Sequence, residues 1–448
     1  MKSIIFVAVA VALALSGCTG VRTPGERQSR ENLEKIGSVY RPNGQKPVLP
    51  PLDADAGLSN YLKYAILNQP TVADAYYKWA ASVERITVER SMPDPQLTFQ
   101  ADIADIVLSV MPGLMQTFPG PGKLKAAAKV ADSESQAAYF AFENSVLRSA
   151  FALKQAYYPL WFLNEKIRIN HETLGLLSQL ETSARAQNEV GRVTLQDVYR
   201  AQIEQDKLST EIANLEDSQR SLMAQFKAAL GMTREQPDPP VPANLESTSL
   251  NLKGEELLDI AFARSPRLKA MEADVRMAEA SISMAAKSKI PDFSLGVMAE
   301  AKAAPTFARP LATTTIPLWR DKIAAQIAAA QANKRAAEAR LSAEQIMVTV
   351  DFAMKTYDYR EVTRNLALLH GTLISKARQS LEIARAGYLS GQIDFFNLID
   401  AQRTLQNFQL DEIEARMRRE LILADLSLNI AGITPEAALT LNISTNSK

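Results

Sequence analysis

Few side chains in this chain could carry out chemistry. Its 448 residues include two histidines and one cysteine, and it has no glycine-rich phosphate loop. A nucleophile with its base, or a metal-activated water, needs more than that set supplies, so the chain reads as no enzyme and as needing no cofactor or resident metal. His171 and His370 retain ligating ability. Copies of either could ring a metal ion in an assembly, but a solvated or packed histidine on a long helix is the simpler reading. The other candidates are the carboxylates Asp394 and Asp400, with Asn397 midway between them. Basic and acidic residues balance at 50 each, which leaves no electrostatic footprint for nucleic acid.

The elements that must position these residues come from a duplication. Gly191-Arg192-Val193-Thr194-Leu195 running on to Ala201-Gln202 is matched by Gly391-Gln392-Ile393-Asp394-Phe395 running on to Ala401-Gln402. Other landmarks pair at nearly the same offset: Pro70 with Pro266, Pro95 with Pro291, Phe118-Pro119 with Ile316-Pro317, Tyr157 with Tyr357, His171 with His370. A period of roughly 200 residues is far longer than any solenoid repeat, so a whole structural half is doubled. The first half occupies 58–232 and the second 254–434, joined by a proline-rich linker at 233–253 and followed by a tail at 435–448.

Each half reads as helices, a strand pair, and a long helical hairpin. Helices are expected over Leu58–Asn68 and Thr71–Arg90, broken at Pro70. Strand pairs are expected at about 95–118 and 292–318, with second strands near Val110–Phe118 and Leu311–Leu318. In the first strand Leu97, Phe99, Ala101 and Ile103 share a face, and Gln96, Thr98, Gln100 and Asp102 share the other. Phe293, Leu295, Val297 and Ala299 repeat the pattern. From about Pro121 to Asn188 only Pro159 opposes a continuous helix, which would span roughly 100 Å and bend at that proline. The matching stretch from about Asp321 to Ala386 carries Ile323, Ile327, Ala330, Ala337, Leu341, Val348 and Phe352 at coiled-coil spacing.

The N-terminus is a secretory signal over 1–17: Lys2, an apolar run from Ile4 to Leu15, then Leu15-Ser16-Gly17-Cys18. That ending resembles the bacterial lipoprotein box, in which the cysteine becomes the acylated (palmitate-bearing) N-terminus. Thr19 in place of aspartate implies the outer membrane. With no second cysteine an intrachain disulfide is excluded. Residues 18–57 hold five prolines and are expected to form an extended tail.

No later apolar run is long enough for a spanning helix, so any spanning must be done by strands. Four strands cannot close a barrel, and lipid offers nothing to open edges. Two copies would give eight strands with a filled interior; three give twelve with an open lumen. The fold expected is therefore mainly α with a small β part. Long antiparallel helices form a trimeric α-helical barrel, and four strands per chain contribute to a shared twelve-stranded transmembrane β-barrel.

Over roughly Leu58 to Thr434 these features resemble the TolC family of outer-membrane efflux channels, most specifically in Tyr388-Leu389-Ser390-Gly391-Gln392-Ile393-Asp394 through Asp400-Ala401-Gln402-Arg403. The resemblance implies a homotrimer seated in outer-membrane lipid with its helices in the periplasm, docking a periplasmic adaptor and an inner-membrane transporter such as an RND pump. It places the adaptor-docking tip at Val190, Gly191, Arg192, Val193 and Leu195, and at Leu389, Ser390, Gly391, Gln392 and Ile393, with Val193 and Ile393 expected to be exposed. The gate falls at Asp400, Asn397 and Asp394. Asn397 departs from the family's acidic pattern, and Asp394, like Thr194, is placed to cap its helix. Gln116-Thr117-Phe118-Pro119-Gly120-Pro121-Gly122-Lys123 looks like the strand-to-helix junction of relatives paired with heavy-metal exporters; drugs also fit the duct. The alternative is a lipid-anchored periplasmic coiled-coil scaffold that conducts nothing, which would have no use for amphipathic strands.

Overall fold

A computed structural model describes residues 22–53, 56–103, 107–241, 245, 254–300 and 307–430. The chain is mainly helical with one sheet. Its elements are α1 (Pro24–Tyr40), α2 (Leu58–Asn68), α3 (Pro70–Arg90), β1 (Gln96–Ile103), β2 (Val107–Phe118), α4 (Lys123–Glu189) and α5 (Leu195–Ala229). The second half supplies α6 (Gly254–Arg264), α7 (Pro266–Lys287), β3 (Phe293–Glu300), β4 (Phe307–Thr314), α8 (Arg320–Leu368), α9 (Ile374–Ser390) and α10 (Phe395–Ile430). Two compact units share these elements. One holds the chain up to Ser38 with Asp74–Phe142 and Pro266–Gln345; the other holds Val39–Ala73, Glu143–Ser265 and the chain from Ile346.

In the first unit the four strands form one antiparallel meander, β1-β2-β3-β4. Leu97 pairs with Leu114, Leu114 with Val297, and Val297 with Pro310, so one face carries the apolar residues of all four strands. That face is bare: Leu97, Phe99 and Leu295 are 66%, 69% and 56% exposed. The opposite face carries Thr98, Thr117 and Ser294, with the Thr117 and Ser294 hydroxyls 3.0 Å apart, and of its three methionines Met111 and Met298 are buried and Met115 half-buried. Beside the sheet, Trp79 stacks on Phe142 at 5.7 Å, edge-on to Tyr76.

Four expectations need correction. Residues 24–40 are not an extended tail but helix α1. Pro24 sits where its missing N–H costs nothing, the Thr23 hydroxyl accepts the Glu26 N–H at 3.1 Å, and Ile36 and Tyr40 are buried. Glu26, fully buried, meets Arg90 at 2.8 Å and Arg30 at 3.1 Å. The fourth strand spans Phe307–Thr314 rather than Leu311–Leu318: β3 begins at Phe293 opposite Thr314, and past that pair the Thr315 N–H donates to the Asp292 carbonyl at 2.9 Å as the ladder ends. The second long helix is interrupted by a π-helical turn at Leu369–Leu373, around Gly371. Finally, the hairpins align under a shift of 198 residues (310 less 112), which matches Pro112 with Pro310 and Pro93-Asp94 with Pro291-Asp292, so Pro93 rather than Pro95 is the counterpart of Pro291.

The second unit is built from helix packing. Tyr61 of α2 meets Tyr157 and Phe226 at 5.8 and 5.5 Å, and its hydroxyl donates to the Pro240 carbonyl at 3.1 Å. Asn68 donates to the Leu230 and Gly231 carbonyls, closing the open end of α5. α4 runs unbroken through Pro159 for 67 residues, a length of roughly 100 Å. In the first unit, Ile323, Ala330 and Ala337 of the α8 seam are buried and Ile327 and Leu341 half-buried, and Glu344 belongs to the seam too, neutralised by Arg267 at 2.7 Å. Among the described residues no helix is long and apolar enough to cross a membrane.

Candidate functional site

Both long hairpins reverse through glycine. Gly191 and Gly391 have φ of 70° and 77°, a region open to glycine and strained for other residues. Each closes its helix in the same way. Arg192 N–H donates to the Gln187 carbonyl at 2.9 Å and Gln392 N–H to the Gly387 carbonyl at 2.8 Å, while the glycine N–H reaches the carbonyl three residues back. This is the Schellman closure, which satisfies the orphan carbonyls at the helix end.

The next helix begins differently on the two sides. Asp394 accepts the Asn397 N–H at 2.8 Å, a true side-chain cap. Thr194, in contrast to expectation, makes no side-chain cap; its hydroxyl turns 3.4 Å toward the Asp197 carboxylate. The expected exposure of Val193 and Ile393 is also corrected. Both are half-buried: Val193 packs on the tip cluster that contains Val198, and Ile393 lies against Gly387, where an added Cβ would come within 2.6 Å of it. Val193 stands where a hydrophobic staple does, just ahead of a helix and packed with its first turn, whereas Ile393 lies back against the preceding helix at Gly387. The residues that face outward are Val190 (68%), Leu195 (52%), Leu389 (55%) and Phe396 (56%), with Arg192, Ser390 and Gln392 among them.

One cluster joins the two tips. Ala184, Val198, Ala384, Tyr388, Phe395 and Leu398 are among its buried members. Tyr388 stands edge-on to Phe395 at 5.4 Å, its hydroxyl enclosed without a hydrogen-bond partner among the described residues. Burial, helped by the nearby Asp197 charge, pushes that phenol up to about 12. Across the cluster Arg403 of α10 chelates Glu204 of α5 through Nε at 3.2 Å and through its terminal nitrogen. Burial works to raise the Glu204 carboxyl, but the Arg403 bond and charge outweigh it and hold it below the ordinary value. Sequence reasoning missed Tyr388 and this pair as structural anchors. The available signal was position: Tyr388 stands at the repeat counterpart of Asn188, which instead donates to the Val193 carbonyl at 2.8 Å.

Asp400 and Asn397 are exposed on α10, and Asp400 makes no hydrogen bond or ion pair among the described residues. His171 and His370 each face a glutamate of the neighbouring helix, Glu216 at 3.6 Å and Glu412 at 2.9 Å, a matched pair of local contacts. No cluster of three His, Cys, Asp or Glu side chains that could hold a metal occurs among the described residues. Cys18 lies outside the described residues.

Two long helical hairpins carrying a four-stranded amphipathic meander are the fold of outer-membrane channel proteins. The chain superimposes on the outer-membrane channel OprN with a TM-score of 0.73 at 17% identity, covering 84% of this chain and 90% of that one. It matches CusC at 0.71 and 16% (86% and 98% covered) and the outer membrane protein VceC of Vibrio cholerae at 0.68 and 17% (83% and 94%). Residues 257–432 carry a domain that matches the family model described as Outer membrane efflux protein. In sequence the chain is 22% identical over 302 residues to the cobalt-zinc-cadmium resistance protein CzcC of Cupriavidus metallidurans, an alignment covering 64% of this chain and 65% of that relative, just under two thirds of its length.

Proposed function

We propose that this protein is the outer-membrane channel of a tripartite efflux system, a passive duct leading from an inner-membrane pump and a periplasmic adaptor to the exterior. The observation that carries the reading is the sheet. Leu97, Phe99, Leu114, Leu295 and Val297 stand exposed on its apolar face, its outer strands β1 and β4 each have one unpaired edge, and no partner sheet exists among the described residues. Lipid covers such a face, and only closure on further copies satisfies such edges. Three copies give twelve strands and an open lumen. A scaffold needs none of this.

The outward residues Val190, Leu195, Leu389 and Phe396 around the two glycine turns form the adaptor-docking surface in this reading. Asp400, unpaired and exposed, supplies a ring of three carboxylates that favours cations. The relative named for cobalt, zinc and cadmium resistance supports metal cations as cargo. Acylated Cys18 adds a lipid anchor. Native mass spectrometry of the detergent-extracted protein, with the mass of its N-terminal peptide, tests the reading: a trimer with a lipid adduct on Cys18 is expected, and a stable monomer or dimer would refute the shared barrel.

A further inference from the structure

Helix α1 occupies only part of the groove in which it lies. It runs antiparallel to α3: Glu26 meets Arg90, Arg30 meets Glu84 at 2.9 Å, and a Cβ added at Gly37 would come within 2.8 Å of the Tyr76 hydroxyl. The floor of the groove is α4, where a Cβ at Gly25 would fall on the Asp132 carboxylate. Its far wall is α7, whose Arg276 donates to Gln136 beside Gln28 and Asn32 of α1. Past the start of α1, toward the sheet, the same three helices border an open cavity of about 710 Å³. Val88 and Met92 line it from the end of α3, Leu124 and Ala127 from α4, and Met284 from α7.

We propose that this cavity is the seat of an acyl chain carried by Cys18. This rests on the acylated Cys18 of the reading above. Three observations support it. First, the lining suits hydrocarbon and not a polar ligand. The Thr87 hydroxyl accepts from Arg30 at 2.7 Å and faces Glu26 at 3.2 Å, while Ser91 donates to the Thr87 carbonyl and Ser288 to the Ala285 carbonyl. Lys123 meets Asp292 at 2.7 Å and Glu89 meets Arg85 at 3.7 Å. Of the polar side chains lining the cavity, only the exposed Asp94 has no such partner among the described residues. A hydrogen-bonding ligand would find its partners taken, whereas an acyl chain gains with each CH₂ removed from water. Second, the path of the chain leads there. Buried Glu26, held by Arg90 and facing Thr87, fixes the start of α1 beside a residue that lines the cavity. Cys18 precedes Thr23 by five residues, a reach of at most about 18 Å. Third, the cavity lies where α3 and α7 end and β1 and β3 are about to begin, at the foot of the apolar sheet face. A chain seated there stays at the level where that face begins.

The lipid is then a packing element as well as an anchor. It covers Val88 and Met284, which are 69% and 47% exposed in the chain alone, and continues along the groove that α1 begins to fill. The volume falls inside the span of roughly 300–1,000 Å³ found for cavities that enclose small ligands.

Photo-cross-linking of the full-length protein tests the seat. Palmitate bearing a terminal diazirine, supplied during expression, should join the tryptic fragment Cys18–Arg22 to peptides that contain Val88, Leu124 or Met284. Val88→Asp and Met284→Asp, both at exposed positions that a charge does not unfold, should each lower that product about tenfold and leave the lipid mass on Cys18 unchanged. Cys18→Ser, exported behind a signal peptide without the lipoprotein box, should lose cavity labelling although its membrane still holds photoreactive phospholipid. Labelling as strong as in the wild type would assign the cavity to membrane phospholipid and overturn the proposal. An acylated Cys18 that cross-links only to lipid, or a yield indifferent to both aspartates, would overturn the seat and leave the anchor standing. An N-terminal peptide without a lipid adduct would overturn anchor and seat together, and the native mass separately decides the trimer.

Discussion

Tyr388 and Asn188 hold equivalent positions on the two tips and solve different problems. Asn188 ties down its own turn, whereas Tyr388 fills the space between the turns and leaves its hydroxyl unsatisfied. A buried hydroxyl with no partner loses its hydration without recompense. Tyr388→Phe is therefore expected to raise stability by about 1 kcal/mol, read as a higher thermal midpoint in detergent. Glu204 behaves in the opposite sense, since its folded pKa lies below the ordinary glutamate value of 4.5. Its contribution is complete above that value and is lost as pH falls below it through the folded value. The stability difference between wild type and Glu204→Gln should thus be full at neutral pH and vanish in acid, measured as thermal midpoint against pH. Asp400 enters through its proposed place in the gate rather than through folding: Asp400→Ala should leave stability unchanged and shift the reversal potential under a salt gradient toward zero. An unchanged potential would remove it from the gate.

At the scale of elements, the two turns depend on backbone conformation and not on space. Nothing lies within 4 Å of a Cβ built on Gly191, Gly391 or Gly371, yet only the first two have positive φ. Gly191→Ala and Gly391→Ala should each cost about 1–2 kcal/mol, while Gly371→Ala inside the π-helical turn should be neutral or stabilising by up to about 1 kcal/mol, all read by thermal unfolding. The elements legible in the sequence were those with strong local punctuation. Leu58–Asn68, bounded by Gly57 and Pro70, and the alternating strand Gln96–Ile103 read directly. α1 did not, because the density of prolines after Tyr40 concealed that Thr23-Pro24 is a helix start. Nor did Glu344, since a carboxylate belongs in a coiled-coil seam only when a distant arginine neutralises it, and Arg267 lies on another helix. The end of β4 was misplaced because strand length is set by the neighbouring strand, which a single strand's pattern does not contain. At the candidate site the glycine reversals were legible, but the burial of Val193 and Ile393 follows from the path of the chain after the turn.

For the whole molecule, the sheet is the part that a single copy leaves incomplete. Its helices find cores within each unit, among Trp79 and Phe142 in one and Tyr61, Tyr157 and Phe226 in the other. The strands find only each other, with an apolar face and two edges left bare. The proposed duct turns this incompleteness to use, since closing the sheet creates a lumen. The most direct measurement is single-channel recording of the purified protein in a planar lipid bilayer under a salt gradient. Discrete conductance steps with a cation-selective reversal potential are expected. A protein that inserts, verified by protease protection, and never conducts under any applied voltage would contradict the account.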